Sequence, residues 1–282
     1  FVHYHPRTLV LNNLEFDHAD IFPDLAAIQT QFHHLVRTVP GNGLIITNAA
    51  DARLDEVLER GCWTPVERVS LQDGSAQWQG RKQSVDGRCF EVLLDGECTG
   101  TVNWNQLGDH SVHNALVAIA AARHAGVPLA QSIAALGEFR GVKRRMEVRG
   151  EVNGITVYDD FAHHPTAIAT TLQGLRRRVG NARILLLLEP RSNTMRMGVH
   201  RDSLAASMQG ADCIWLHQPA DIEWSLSDEM HDCKIPVVIK ESVAAITADV
   251  VRKAQPGDHI LVMSNGAFGG IHEKIVTALQ DT

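Results

Sequence analysis

Ile155-Thr156-Val157-Tyr158-Asp159-Asp160-Phe161-Ala162-His163-His164-Pro165-Thr166 is the most telling run in this chain. Its first four residues read as a buried strand, and Asp159 to His164 form a polar mouth. Pro165-Thr166 then starts a helix, at the position where a proline costs no intrahelical hydrogen bond. To either side the same rhythm repeats. Apolar strands are expected at Ile184–Leu188, Cys213–Leu216, Pro236–Ile239 and Ile260–Met263. Helices at Thr166–Leu175, His200–Met208, Ala244–Lys253 and Ile271–Leu279 alternate with them. Near-continuous apolar strands between amphipathic helices imply a mostly parallel sheet covered on both faces, so residues 146–282 are expected to form a Rossmann-like domain.

Ahead of it, Gly141-Val142-Lys143-Arg144-Arg145 is a basic, hinge-like stretch. Residues 1–145 carry a second pattern: a strand at Thr8–Leu11, a helix through Leu25, Ile28, Phe32, Leu35 and Val36, a strand at Gly43–Thr47 and a helix at Ala52–Arg60. From Val66 to Val102, short alternating segments broken by Asp73-Gly74, Asp86-Gly87 and Asp95-Gly96 predict a small antiparallel meander. Helices follow at Gly108–Gly126 and Leu129–Leu136. The class is α/β with two domains, in keeping with 282 residues.

Composition narrows the function. With 44% hydrophobic and 21% charged residues the chain reads as an ordinary globular protein. A net charge of −7 without a continuous Lys/Arg stripe argues against nucleic acid or an anionic membrane as partner. The longest apolar run, Ile184 to Leu188, is far short of the ~20 residues that span a bilayer. Five cysteines without a CxxC suit free thiols in a reducing cytoplasm. The chain starts at Phe1 without Met, and reads as part of a longer protein.

Ligands of parallel α/β sheets bind off the carboxyl ends of the strands. Three such ends are polar here. Asp159, Asp160, His163 and His164 form the first, able to hold a nucleotide sugar, a metal or an anion, or to serve simply as turn and helix-start residues. Glu189-Pro190-Arg191-Ser192-Asn193-Thr194-Met195-Arg196 forms the second, whose arginines suit carboxylates. Ser264-Asn265-Gly266-Ala267-Phe268-Gly269-Gly270 forms the third, where glycines let backbone amides approach a ligand. In the first half, Glu15, Asp17 and His18 follow a strand and can offer ligands to a hard divalent ion, or act as turn residues.

Taken in order, several of these segments resemble the Mur ligase family, which joins amino acids or peptides to UDP-N-acetylmuramic acid. Asn13-Leu14-Glu15-Phe16-Asp17-His18 is similar to its metal-histidine turn, and Gly108-Asp109-His110-Ser111-Val112-His113-Asn114 to its adenine-side helix start. Arg145-Met146-Glu147 resembles its interdomain arginine, and residues 159–166 its third-domain signature. Residues 31–40 and 189–196 look like the branch that takes the murein tripeptide L-Ala-γ-D-Glu-meso-diaminopimelate rather than free L-alanine.

The resemblance implies that residues 1–145 are the C-terminal part of a central ATP-binding domain and residues 146–282 a domain for the incoming amine or peptide. ATP would activate the carboxylate of UDP-N-acetylmuramate as an acyl phosphate, which the peptide amine then attacks. It also implies roles for His18 at Mg2+, His110 and Asn114 at adenine, Arg145 at the phosphates and Asp160 at the ribose. By extension His163, His164, Arg191, Asn193, Arg196, Asn265 and Gly266 would hold the peptide, with Arg145, Asp160 and His163 nearest the chemistry.

Two departures bear on this. No G-x-x-x-x-G-K-[ST] loop occurs in the 282 residues, so the chain alone is expected to be inactive. Ser111 stands where the family usually carries Asn. The alternatives are an L-alanine ligase and a non-catalytic, peptide-binding paralogue.

Overall fold

A computed structural model describes residues 1–218 and 224–281. The chain divides into two compact units, Phe1–Arg140 and Gly141–Thr282.

The first unit contains β1 (Thr8–Leu11), α1 (Leu25–Val36), β2 (Leu44–Asn48), α2 (Ala52–Glu59), β3 (Val66–Ser70), β4 (Trp78–Lys82), β5 (Cys89–Leu94), β6 (Glu97–Asn103), α3 (Asp109–His124) and α4 (Leu129–Glu138). Its strands form a single sheet in sequence order, β1-β2-β3-β4-β5-β6. Successive side chains of a strand point to opposite faces. Ile45 accordingly packs with Ile28, Val36, Leu54 and Val57 of α1 and α2, and Ile46 with Val112, Leu116 and Ile119 of α3.

The expected meander is half right. The strands β4, β5 and β6 are antiparallel, and the two-residue Asp95-Gly96 turn has the paired positive φ values (51° and 82°) of a tight hairpin. By contrast β3 runs parallel to both β2 and β4, with Val69 opposite Trp78. Asp73-Gly74 does turn the chain, with Ser70 Oγ accepting from the Gln72 and Asp73 amides and Asp73 Oδ1 accepting from Ser75 N. A turn dipeptide marks reversal, not pairing, and residues 71–77 loop back so that β4 restarts in the direction of β3.

The second unit contains β7 (Glu147–Val152), β8 (Ile155–Asp160), α5 (Pro165–Val179), β9 (Ile184–Leu188), α6 (Asn193–Arg196), α7 (Arg201–Ser207), β10 (Cys213–His217), α8 (Leu226–Glu229), β11 (Val237–Lys240), α9 (Val243–Lys253), β12 (His259–Met263) and α10 (Ile271–Gln280). The sheet order is β11-β10-β9-β12-β8-β7, all parallel except β7. Leu186 and Leu188 pack on α5 and α7 residues, while Leu185 and Leu187 pack on α9 and α10 residues, as an apolar strand between two helical layers requires. The edge strand β7, only half-buried and rich in charge, had no apolar signal to betray it. Residues 141–145 cluster with this second unit, five residues earlier than the sequence boundary, because Arg144 is tied into it. Among the described residues no helix is long and apolar enough to cross a membrane.

Candidate functional site

The strands β8, β12 and β9 are neighbours, with Met263 opposite both Asp160 and Leu188, so their carboxyl ends open onto one rim. The loops knit there through backbone: Ser264 N donates to Asp160 O (3.1 Å) and Glu189 N to Met263 O (3.0 Å). Strand β10 adds His217 beside them, since Leu216 pairs with Leu188.

Asp159 and Asp160 leave β8 side by side, both 3% exposed, and end in different states. Burial pushes the Asp159 carboxyl up, but His272 Nε2 at 3.2 Å and Arg144 Nε at 3.5 Å outweigh it and hold its pKa below the ordinary value. Among the described residues Asp160 has no comparable cation in contact. Burial wins there and raises its pKa, with the amides of Ala162 and Met146 and the charge of Arg145 offsetting it only in part. Its Oδ1 accepts from Ala162 N (2.8 Å) and its Oδ2 from Met146 N (2.9 Å). The Asp160 carboxylate thus anchors two backbone segments.

Arg144 is the centre of the rim, and sequence reasoning passed over it for its neighbour. Its Nη2 donates to the carbonyls of Ser264 (2.5 Å) and Gly266 (2.7 Å), and its own carbonyl accepts from Phe161 N (2.9 Å). Arg144 and Met146 both hold left-handed backbone (φ 59° and 51°), a conformation that costs a non-glycine residue energy and persists only when its surroundings enforce it. Arg145 is exposed, and both guanidinium groups lie 5.2 Å from the Phe161 ring centroid.

His163 sits half-buried with Nδ1 2.9 Å from Phe161 O, its ring edge-on to Phe161. His164 caps α5 by accepting from Thr166 N and stacks edge-on to His200 at 4.3 Å, which makes it a helix-start residue first. Arg191 is exposed and lies over Gly266, where any Cβ would collide with its Nη1; that close approach is what the glycine permits. Asn193 and Arg196 open and close the short α6, capped at one end by Ser192 and held at the other by Trp224 Nε1, which donates to Met195 O and Arg196 O. Asn265 lies in the loop after β12, its Oδ1 buried without a hydrogen-bond partner among the described residues. The left-handed glycines Gly269 and Gly270 then turn the chain into α10.

Sequence reasoning quoted Glu189 and Ser264 but gave no role to the polar row that they form at the rim. Glu189, 8% exposed, accepts from Ser264 Oγ (2.5 Å), which in turn accepts from Gly266 N (2.9 Å). His217 Nδ1 stands 3.9 Å from Glu189 Oε1. The available signal was positional: Glu189 is the first polar residue after an apolar parallel strand, and His217 ends the neighbouring one.

In the first unit the candidates are fewer and looser. Asn114, exposed near the start of α3, accepts through Oδ1 from Asn12 Nδ2 (2.9 Å) just past β1. His110 is half-buried on the preceding turn. The Ser111 hydroxyl turns back onto Leu107 O (2.7 Å) and so does not replace a side-chain amide. His18 is exposed, in left-handed backbone (φ 55°), with its carbonyl accepting from Ile21 N and Phe22 N. Among the described residues no group of three or more His, Cys, Asp or Glu could hold a metal. An Mg2+ that arrives on nucleotide phosphates needs only one or two protein ligands, and a single presented side chain fits that requirement.

Residues 2–122 match the family model of the Mur ligase middle domain, and residues 144–266 that of the Mur ligase glutamate ligase domain. The chain is 56% identical over 280 residues to the UDP-N-acetylmuramate–L-alanyl-γ-D-glutamyl-meso-2,6-diaminoheptandioate ligase of Escherichia coli strain K12, covering 99% of this chain and 61% of that protein. It is 50% identical to the ligase of the same name from Haemophilus influenzae, with the same coverage. In structure it is similar to a murein peptide ligase from Psychrobacter arcticus, at TM-score 0.74 and 46% identity, covering 100% of this chain and 59% of that one. The chain thus spans about three fifths of the length of the relatives it matches.

Proposed function

This chain belongs to the Mur ligase family, and we propose that the full-length protein is an ATP-dependent ligase joining L-Ala-γ-D-Glu-meso-diaminopimelate to UDP-N-acetylmuramate. The observation that carries the reading is the convergence of the β8, β9 and β12 ends, with Arg191 against Gly266, in a chain this similar to two ligases of that name. ATP is the co-substrate: its γ-phosphoryl passes to the lactyl carboxylate, and the peptide amine displaces phosphate from the acyl phosphate to form the new amide.

The protein's task in such a reaction is to manage charge, because anions must approach one another and a further anionic centre develops as the amine adds. Asn114 and His110 would hold adenine, and Arg145 the phosphates. His18 would give Mg2+ its protein contact, and the ion would neutralise phosphate charge. On the second unit Arg191, Arg196, Asn193 and His163 would fix the peptide and its carboxylates, with Asn265 and Gly266 shaping the loop beneath. Asp160, through Met146 N and Ala162 N, keeps the segment bearing Arg145 next to the rim. We place the enzyme in the cytoplasm, in the recycling of cell-wall peptide.

The test is ADP release by the full-length protein with UDP-N-acetylmuramate, comparing the tripeptide with L-alanine. Turnover with the tripeptide and not with L-alanine is expected; the reverse preference would overturn the assignment.

A further inference from the structure

Glu189 is a buried carboxylate at the middle of the rim that the reaction scheme above does not use. One oxygen is engaged by Ser264 Oγ, while the other makes no hydrogen bond among the described residues and has His217 Nδ1 at 3.9 Å, beyond hydrogen-bond reach. That imidazole nitrogen is itself buried without a hydrogen bond, as is Asn265 Oδ1 next to Ser264. A largely buried carboxylate with one oxygen unused, on a rim that also holds an orphaned amide oxygen, is poised for a hydrogen-bond donor that carries positive charge.

The opposite charge stands against the same loop. Ser264 Oγ links Glu189 to Gly266 N, and Gly266 carries the Arg191 guanidinium against it. An acidic and a basic head, two residues apart in sequence, therefore both meet residues 264–266. The Arg144 guanidinium fixes that loop from below through the Ser264 and Gly266 carbonyls. A carboxylate ligand alone would need the arginine and be repelled by Glu189, and an isolated ammonium would need the reverse. The ligand that suits both is a zwitterionic α-amino-acid head, carboxylate and ammonium on one carbon.

We propose that Glu189, oriented by Ser264, receives the non-reacting ammonium at the far end of the acceptor peptide, with Arg191 taking the carboxylate on the same carbon. This rests on the tripeptide reading above and deepens it: Glu189 is the residue that selects a diaminopimelate-type third residue. The reacting alanyl amine must lose its proton to attack. The distal ammonium keeps its proton, and it is the group a buried carboxylate stabilises.

Full-length protein, wild type and Glu189→Gln, is assayed for ADP release with two tripeptides. One ends in meso-diaminopimelate, and the other in 2-aminopimelate, which keeps both carboxylates and lacks the distal ammonium. A site that leaves a buried charged group unpaired discriminates strongly, so wild-type KM is expected to be at least about tenfold higher for the deaminated peptide. Glu189→Gln should raise KM for the diaminopimelate peptide by about tenfold or more, with kcat falling much less, and should not change KM for the deaminated peptide. Ser264→Ala, which keeps the carboxylate and removes its orienting hydroxyl, should shift KM the same way by less.

Equal wild-type KM for the two peptides overturns the proposal, even should Glu189→Gln fail to fold. An equal penalty on both peptides in Glu189→Gln also overturns it, since a structural role would act on both. Absence of turnover with either peptide in the wild type refutes the ligase reading itself, and the proposal with it.

Discussion

The two units carry their candidate residues in contrasting ways. In the second, Asp159, Asp160, Glu189 and Ser264 are buried and cross-linked by side chain and backbone before any ligand arrives. In the first, His18 and Asn114 are exposed, and a side-chain hydrogen bond among the described residues, Asn12 to Asn114, joins the end of β1 to the start of α3. Parallel topology accounts for much of this. Three neighbouring strands that end together bring their loops into contact without further help, so polar residues there acquire partners from several loops at once. A site built from one strand end and one helix start has fewer neighbours to fix it. The rim is preorganised in the sense that matters for binding, because little rotamer freedom remains to be lost when a ligand docks.

The comparison is open to test, and the largest effect should come from the rim. Asp160→Ala leaves the amides of Met146 and Ala162 without their acceptor, and should cost about 2–4 kcal/mol of stability in urea denaturation of this chain. A loss below about 1 kcal/mol would mean the rim is no better organised than an exposed loop.

Next comes pH. Because the folded pKa of Asp159 lies below its unfolded value, its pairing with His272 and Arg144 stabilises the protein above the ordinary carboxylate pKa of 3.8. That contribution is lost as pH falls from there through the lower folded value. Asp159→Asn should therefore be less stable than wild type at pH 7, with the gap closing below 3.8. A gap independent of pH would show that charge is not what Asp159 contributes.

The smallest effect belongs to the first unit. Asn114→Ala removes one exposed hydrogen bond and should change stability by no more than about 0.5–1 kcal/mol. Its mark should instead be a raised KM for ATP in the full-length protein. A stability loss as large as that of Asp160→Ala would erase the contrast between the units.

The same contrast explains what could be read in advance. Apolar runs such as Ile184–Leu188 announce themselves as buried strands, and once the strands are known to be parallel the location of the rim follows. The position of His163, Arg191 and Gly266 at that rim was reachable on that basis. Roles that depend on which way a carboxylate turns were not: Asp159 and Asp160 are chemically identical and adjacent, and only the packing of His272 and Arg144 on one of them separates their states. Arg144 escaped notice because nothing in the Arg144-Arg145 pair says which guanidinium reaches the carbonyls of residues 264 and 266. Pairing direction at β3 was hidden for a similar reason, since Asp73-Gly74 fixes a local reversal and leaves the partner strand to tertiary packing.

The order β11-β10-β9-β12-β8-β7 places the last strand of the unit, His259–Met263, between two strands that precede it by seventy residues or more. During synthesis, β8 and β9 must therefore wait with an open gap between them, and Ser264 and Gly266 emerge after Arg144, Asp160, Glu189 and Arg191. Long-range parallel pairing of this kind is slow to form. The rim is thus completed at the end of folding, and a nascent chain stalled before residue 259 would hold Glu189 and Arg191 without the loop that both of them touch.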